Sequence, residues 1–265
     1  MDIKAFFYEH PIFTLSEFLK WRSHQGIKSA RSAHKAIQYY IASNKLKRLR
    51  KELYAVVPPN TKPDNYTVDP YLLAGKVADD AVLAYHTALE LHGLAYSSFE
   101  QFTFIPSHKI VPFEYNQQFF RAVVTKDKTA IEIEVINRQG VNIKITNISR
   151  TFVDVLDHIE LSGGLEEVCR SIENIAILNI DDVIFYCLSK NNARLAAKVG
   201  YFLEQRQGAF KVPENQLKKL LAAKPKSPQY LSKNLRKNCR LIKKWNLMMP
   251  IFVLNKEWEE PNVDI

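Results

Sequence analysis

The sequence predicts an α+β chain in two parts, on three observations. The first sixty residues read as helix, turn, helix and hairpin, and the middle mixes helices with clusters of β-formers instead of repeating a strand–helix unit. Charge, in turn, is divided along the chain. Residues 1–60 carry a net +7, residues 61–210 a net −5 and residues 211–265 a net +7, within an overall +9. A general solubility charge would not segregate in this way, whereas two basic ends around an acidic middle suit a polyanion. At 265 residues the chain has room for two domains and a substantial core.

The first predicted helix lies within residues 13–26, where Thr14 serves as N-cap, Glu17 follows three residues on, and Gly26 is the stop. A second helix runs over Lys28–Ser43. Ala33, Ile37, Tyr40 and Ile41 fall on its buried face, and Arg31, Ser32, His34, Lys35 and Gln38 on the open arc, with Lys28 and Ser29 at its start. Ser43-Asn44 ends it. Lys45–Val57 then reads as a short hairpin carrying Lys45, Lys47, Arg48, Arg50 and Lys51, closed by Pro58-Pro59. Helix, turn, helix, wing is the order of a winged helix-turn-helix, which assigns residues 1–62 to DNA binding. Here Arg31 and Gln38 reach base edges of double-stranded DNA, and the hairpin cations hold phosphates. Leu46, Leu49 and Leu53 pack the wing. The competing reading of the open arc is a solvated helix face.

The polar run Pro58–Asn65 reads as a linker and puts a boundary near residues 60–68, with a second domain over 68–265. There Tyr71–Leu94 is helix-like and largely apolar. Gln101–Pro106, Glu114–Val124, Ala130–Arg138 and Val141–Thr146 read as strands, with Gln139-Gly140 turning the last pair. Ile148–Leu161, Leu165–Ile177, Asp181–Lys190 and Ala193–Gln205 read as helices, punctuated by Gly163-Gly164 and Asn191-Asn192. A basic tail over 211–250 follows, including Lys233, Arg236, Lys237, Arg240, Lys243 and Lys244, and it ends in the apolar anchor Trp245–Pro250.

Several classes are disfavoured. Cys169, Cys187 and Cys239 are odd in number and widely spaced, which suggests neither a disulfide framework nor a zinc site and fits a reducing, cytoplasmic compartment. The first ten residues lack a basic segment followed by a long apolar run, so no signal peptide is expected. No apolar stretch is long enough for a membrane span. Glycine signatures of dinucleotide or nucleotide-phosphate binding are absent, and no cofactor is expected. His86 and His92 are six apart and do not share a helix face as a metal pair would; helix packing is the simpler role. Arg150 and Asp154, four apart, read as an ion pair that docks a helix, with direct partner contact as the alternative. Glu132-x-Glu134 with Lys144 has the composition of metal-dependent nucleases, although alternating glutamates more often mark the exposed side of a strand. Asp181-Asp182 most simply caps a helix, and no catalytic triad has a spacing that stands out.

Four blocks, in this order, carry a family resemblance: Leu46–Tyr54, Tyr85–Gly93, Ser149–Asp154 and Val199–Leu203. They resemble the AbiEi-type antitoxins of bacterial abortive-infection toxin–antitoxin systems, over about residues 13 to 250. The resemblance implies a winged helix-turn-helix that represses its own phage-defence operon at upstream repeats. It also implies an α+β antitoxin domain that neutralises a companion nucleotidyltransferase-like toxin encoded nearby, without catalytic activity of its own. One departure concerns the wing: the family usually has glycine before its Leu-Tyr pair, where this chain has Glu52. The basic tail then has three readings: an extended DNA footprint, a surface for an acidic toxin or its RNA substrate, or a solvated surface whose lysine stems cover apolar residues. A winged-helix transcription factor without a toxin partner and a metal-dependent DNA-processing enzyme remain as alternatives.

Overall fold

A computed structural model describes residues 2–125, 132–232 and 234–258. It is a mixed α+β fold with three sheets among the described residues, and the chain divides into two compact units. The first holds residues 1–83, 100–128 and 134–145, and the second holds 84–99, 129–133 and 146–265. The expected boundary near residues 60–68 lies inside the first unit, which also takes in the strands expected to belong to a separate domain.

The first unit opens with α1 (Ile3–Glu9), which the sequence did not suggest, and the short β1 (Ile12–Thr14). Thr14 then caps α2 (Leu15–His24) with the full reciprocal box: its hydroxyl accepts from Glu17 N–H, and Glu17 accepts from Thr14 N–H at 2.8 Å. α3 (Ala30–Ala42) is capped by Ser29, and Asn44 ends it in the left-handed region at φ 58°. β2 (Leu46–Arg50) and β3 (Leu53–Val56) form the expected hairpin, and β1 joins it in the order β1-β3-β2. Glu52 occupies the hairpin turn at φ 61°, a conformation that favours glycine, so the chain makes the tight turn without the residue best suited to it. A register shift between Arg48 and Arg50 accompanies it.

Buried Phe6, Phe13, Phe18, Ala33, Ile37 and Leu46 form the core beneath these elements. Phe6 meets Phe13 at 5.1 Å and Trp21 at 4.9 Å between ring centroids, so α1 supplies the centre of an aromatic cluster. Of the four residues assigned to the inner face of α3, Ala33 and Ile37 are fully buried and Tyr40 and Ile41 half-buried.

Beyond this core, Tyr71–Leu94 is not one helix. It is α4 (Pro70–Lys76), β4 (Val82–Leu83) and α5 (His86–Leu91). Val82 and Leu83 pair antiparallel to β5 (Gln101–Ile105) and parallel to β9 (Val141–Thr146), in the middle of a sheet. A strand buried on both faces is apolar throughout, and periodicity cannot distinguish it from a buried helix segment. The full order is β6-β7-β5-β4-β9-β8, with β6 (Phe113–Tyr115), β7 (Gln118–Ala122) and β8 (Ile133–Arg138). The single strand expected over Glu114–Val124 is the β6–β7 hairpin, turned at Asn116 and Gln117, both in the left-handed region. Of the strand expected from Ala130, residues 130 and 131 lie outside the described residues, and β8 begins at Ile133.

The second unit is mainly helical. After α5 it contains α6 (Ile148–Asp157), α7 (Leu165–Glu173), α8 (Ile180–Ser189) and α9 (Ala193–Gln205). Helix α10 (Gln207–Phe210) and helix α11 (Glu214–Ala223) follow. A three-stranded sheet in the order β10-β12-β11 comprises β10 (Gln229–Tyr230), β11 (Cys239–Ile242) and β12 (Leu247–Pro250), ahead of α12 (Ile251–Leu254). The tail is therefore a folded part of this unit. Its anchor is Trp245, fully buried, whose indole N–H donates to Glu204 Oε2 at 2.7 Å. Its ring lies over Gly200 of α9, where an added Cβ would come within 2.2 Å of ring carbons. Gly200→Ala is therefore expected to displace Trp245 and destabilise the protein by about 1–3 kcal/mol, the usual cost of overpacking. Thermal unfolding checks this, and an unchanged melting temperature would refute the tight seat.

Candidate nucleic-acid interface

Within the first unit, the exposed arc of α3 and the β2–β3 hairpin face a shared groove of about 240 Å³. Its polar lining is His34 and Gln38 from α3 and Arg48, Lys51 and Glu52 from the hairpin, over a base of Ile37, Ile41 and Tyr54. Four of the residues assigned to DNA thus come together here. His34 donates from Nδ1 to the Ala30 carbonyl at 2.8 Å, which leaves Nε2 as its outward-facing ring nitrogen. Gln38 carries an amide that both donates and accepts. Arg48 uses Nε to donate to the Arg50 carbonyl at 3.3 Å and keeps its terminal nitrogens for other partners.

The start of α3 is organised differently. Ser29 accepts from Ser32 N–H at 3.3 Å as the cap, and Arg22 of α2 donates to Ser32 Oγ at 2.9 Å. These two serines and Arg22 therefore lock α2 against α3, and the Ser32 hydroxyl keeps its own proton to donate. Lys28, Arg31 and Lys35 are exposed, with no ion pair among the described residues.

The hairpin cations separate into two groups. Lys45 sits at the end of α3, 5.9 Å from the Tyr40 ring centroid, and Lys51 is at the turn. Lys47 turns away: its ammonium donates to the Tyr66 carbonyl at 2.9 Å and lies over the Tyr115 ring. Arg50 stacks over Phe113 at 4.4 Å. These two bind the hairpin to the rest of its unit. Arg22 is a contributor the sequence did not single out, and Glu52, noted there only as standing where the family has glycine, lines the groove. The alternation that flags half-buried strands says nothing of a turn residue that lines a groove.

The other candidates resolve separately. Glu132 occupies a turn at φ 59° before β8 and hydrogen-bonds Asn147, while Glu134 lies in the strand; Lys144 donates to the Asp79 carbonyl at 3.3 Å. Among the described residues no cluster of histidine, cysteine or carboxylates has the arrangement of a metal site. Asp181 and Asp182 donate backbone N–H groups to the cap residue Asn179, so they follow the cap instead of forming it.

In the second unit, Arg150 donates to Asp154 Oδ2 at 3.1 Å as expected, and both are buried. The sequence did not suggest that Tyr186 donates to Asp154 Oδ1 at 2.8 Å, nor that Lys190 lies 3.9 Å from the same oxygen. Tyr85 enters this region at φ 58° and ψ −132°, a backbone conformation rare for any residue with a side chain. Beside it, His86 Nε2 lies 3.2 Å from Glu167 Oε1. Glu167 also accepts from Ser171 Oγ at 3.0 Å and from the backbone of Tyr96 and Ser97. His92 Nε2 donates to the Thr146 carbonyl at 2.8 Å. Both histidines thus hold elements together, in the packing role expected of them.

In the tail, Lys233 lies outside the described residues. Lys244 pairs with Glu204, and Arg236 lies over the Tyr230 ring at 5.7 Å. Lys237, Arg240 and Lys243 are exposed, with no ion-pair partner among the described residues.

No family model matches the chain, and no curated protein matches it. Among solved structures it is similar to the crystal structure of RV2827C protein from Mycobacterium tuberculosis. Identity is 13%, the TM-score is 0.62, and the match covers 97% of this chain and 94% of that one. The two proteins share a fold across nearly their whole lengths. No helix among the described residues is long and apolar enough to cross a membrane.

The Glu167 cluster carries a pH signature. Burial alone would raise this carboxyl, but hydrogen bonds from Ser97, Ser171 and His86 outweigh it and hold the pKa below the ordinary 4.5. A carboxylate depressed in the fold contributes stability that is complete above its unfolded value and lost as pH falls through the folded one. Urea unfolding between pH 6 and pH 3 is therefore expected to show an acid loss that Glu167→Gln reduces. An identical acid limb in the variant would remove Glu167 as its source.

Proposed function

We propose that this chain is a DNA-binding transcriptional repressor of its own operon and the antitoxin of a toxin–antitoxin pair. The observation that carries the DNA-binding part is the groove between α3 and the β2–β3 hairpin, where His34, Gln38, Arg48 and Lys51 converge. The order α1, β1, α2, α3, β2, β3 and the strand order β1-β3-β2 are those expected of a winged helix-turn-helix, with α3 as recognition helix and the hairpin as wing.

In this reading α3 enters the major groove of double-stranded operator DNA. Arg31, His34, Lys35 and Gln38 lie at helical spacing on its open face, with Lys28 at its start. Arginine pairs bidentately with guanine and glutamine with adenine, each discriminating by about 1–3 kcal/mol. Lys45, Arg48 and Lys51 hold phosphates on either side, and occupancy excludes the polymerase. Lys47 and Arg50 position the wing through Tyr66, Tyr115 and Phe113. The antitoxin part rests on the resemblance of the four sequence blocks. It assigns toxin neutralisation, against a nucleotidyltransferase-like partner, to the helical unit.

The test is binding of the purified protein to its own upstream DNA, titrated against salt. Arg31→Ala is expected to lose sequence selectivity, and Lys51→Ala to flatten the log–log salt slope by about 0.9. Lys47→Ala, removing a cation already turned inward, is expected to leave that slope unchanged. Weak binding that is equal for unrelated DNA and indifferent to Arg31→Ala would refute the repressor reading.

A further inference from the structure

We infer that the three-stranded sheet of the tail is a second, separate binding surface whose ligand is single-stranded RNA. The first observation is electrostatic. Between Glu214 and Glu257 the chain has no Asp or Glu, and it has eleven Lys or Arg. The fold does not neutralise them all from elsewhere. Lys224 donates to the Lys244 carbonyl, Lys244 pairs with Glu204, and Lys256 pairs with Glu173. Lys226, Lys237, Arg240 and Lys243 are exposed and have no ion-pair partner among the described residues. Unpaired cations held on and beside a folded sheet attract a polyphosphate, whose condensed counterions are released on binding.

The second observation is the row of side chains that the register creates. Met248 pairs with Tyr230 on one side and with Leu241 on the other, so the three lie in line across β10, β12 and β11. Leu247 and Met249, on either side of Met248, are fully buried against the helices. Strand alternation therefore puts Tyr230, Met248 and Leu241 on the opposite, outer face. Tyr230 and Leu241 are each 36% exposed. The outer face is thus an apolar strip with an aromatic ring at one end. Arg236 lies over that ring, Lys237 and Lys243 belong to the loops on either side of β11, and Arg240, in register with Met249 on the other face, reaches solvent from the sheet's edge strand.

An apolar strip edged by cations fits a chain that offers bases to the strip and phosphates to its rim. Duplex DNA hides its base faces and would leave the strip uncovered, and the single-stranded polyanion abundant in a cell is RNA. A protein partner fits less well, because lysine is depleted from protein interfaces and three of the four unpaired cations are lysines. The surface lies wholly in the second unit and uses none of the residues of the α3–hairpin groove, so it stands or falls apart from operator binding.

Fluorescence anisotropy of the full-length protein with a labelled oligouridine tests it, with a duplex of equal length as competitor. Binding is expected to weaken with salt, to resist the duplex, and to be unaffected by Lys51→Ala in the hairpin. Tyr230→Ala is expected to weaken it roughly five- to a hundredfold, the range for removal of one stacked base. Lys237→Gln with Lys243→Gln is expected to flatten the salt slope by about 0.7 for each phosphate no longer held. These three residues are at the surface, and an unchanged melting temperature in each variant separates loss of binding from loss of fold. No binding of oligouridine overturns the inference. So does binding that the duplex displaces, or that survives both tail changes and fails with Lys51→Ala.

Discussion

One backbone hydrogen bond joins the turn of the hairpin to the start of α2, in the unit that carries the proposed operator-binding surface. Leu15 N–H, at the first turn of α2, donates to the carbonyl of Glu52 at 2.8 Å. That amide is one of the donors a helix start leaves without an internal partner, and Glu52 is the residue at the hairpin turn. The bond exists because Glu52 adopts φ 61°, with the strain this imposes on a residue carrying a side chain. On the helix side the position is equally determined. Thr14 and Glu17 close the capping box, and Glu17 is held in turn by Lys76 at 2.7 Å. Burial pushes the Glu17 carboxyl up, yet the bonds from Lys76 and Thr14 bring it below the ordinary carboxylate value, so the box stays ionised. Where the hairpin lies relative to α2, and through Arg22 and Ser32 relative to α3, follows from this chain of contacts. With the Lys45 N–H bond to the Tyr40 carbonyl at 2.9 Å, which ties α3 directly to the hairpin, it fixes His34 and Gln38 relative to Arg48 and Lys51.

Aromatic packing supplies the rigidity behind that junction. Phe6 reaches Phe13, Phe18 and Trp21 at once, with ring separations of 5.1, 5.4 and 4.9 Å. These rings come from α1, β1 and α2, so one cluster fixes three elements that share few hydrogen bonds. The small residue at the interface, Ala33, allows α3 to approach this cluster closely. A side chain on the outer face of α3 is thereby held on a rigid support, as selective readout of base edges requires.

The sequence made legible those features whose cause is local. Thr14 with Glu17, Ser43-Asn44, Gln139-Gly140 and the bounds of α9 are all short-range chemistry, and each lies where the residues predict. Features whose cause is distant were not legible. Val82 and Leu83 are a strand only because β5 and β9 flank them, and nothing in Tyr71–Leu94 itself announces those neighbours. The same holds in the site. Helical spacing on α3 identifies which side chains face outward, but Lys47 and Arg50 depart from the other hairpin cations because of Tyr115 and Phe113, more than sixty residues away in sequence. The tail is the extreme case: a run of lysines, read as intermittent charge, is a sheet because Trp245 finds Gly200.

Charge and fold together account for why the two basic ends differ. At the N-terminal end the cations are carried on a helix and a hairpin around a concave groove whose apolar base is Ile37, Ile41 and Tyr54. Concavity with polar side chains suits an object that is convex and offers hydrogen bonds along a groove edge, as a duplex does. At the C-terminal end the cations edge a sheet that leaves part of its apolar surface outside, because β12 has helices on one face and the short strands β10 and β11 at its sides. Exposed apolar surface costs free energy in water unless something covers it, at about 25 cal/mol per Å². Fixed, unpaired cations repel one another as well. A surface with both features is most stable with a ligand that is itself part apolar and part anionic, and the bases and phosphates of an unpaired strand provide both in one molecule.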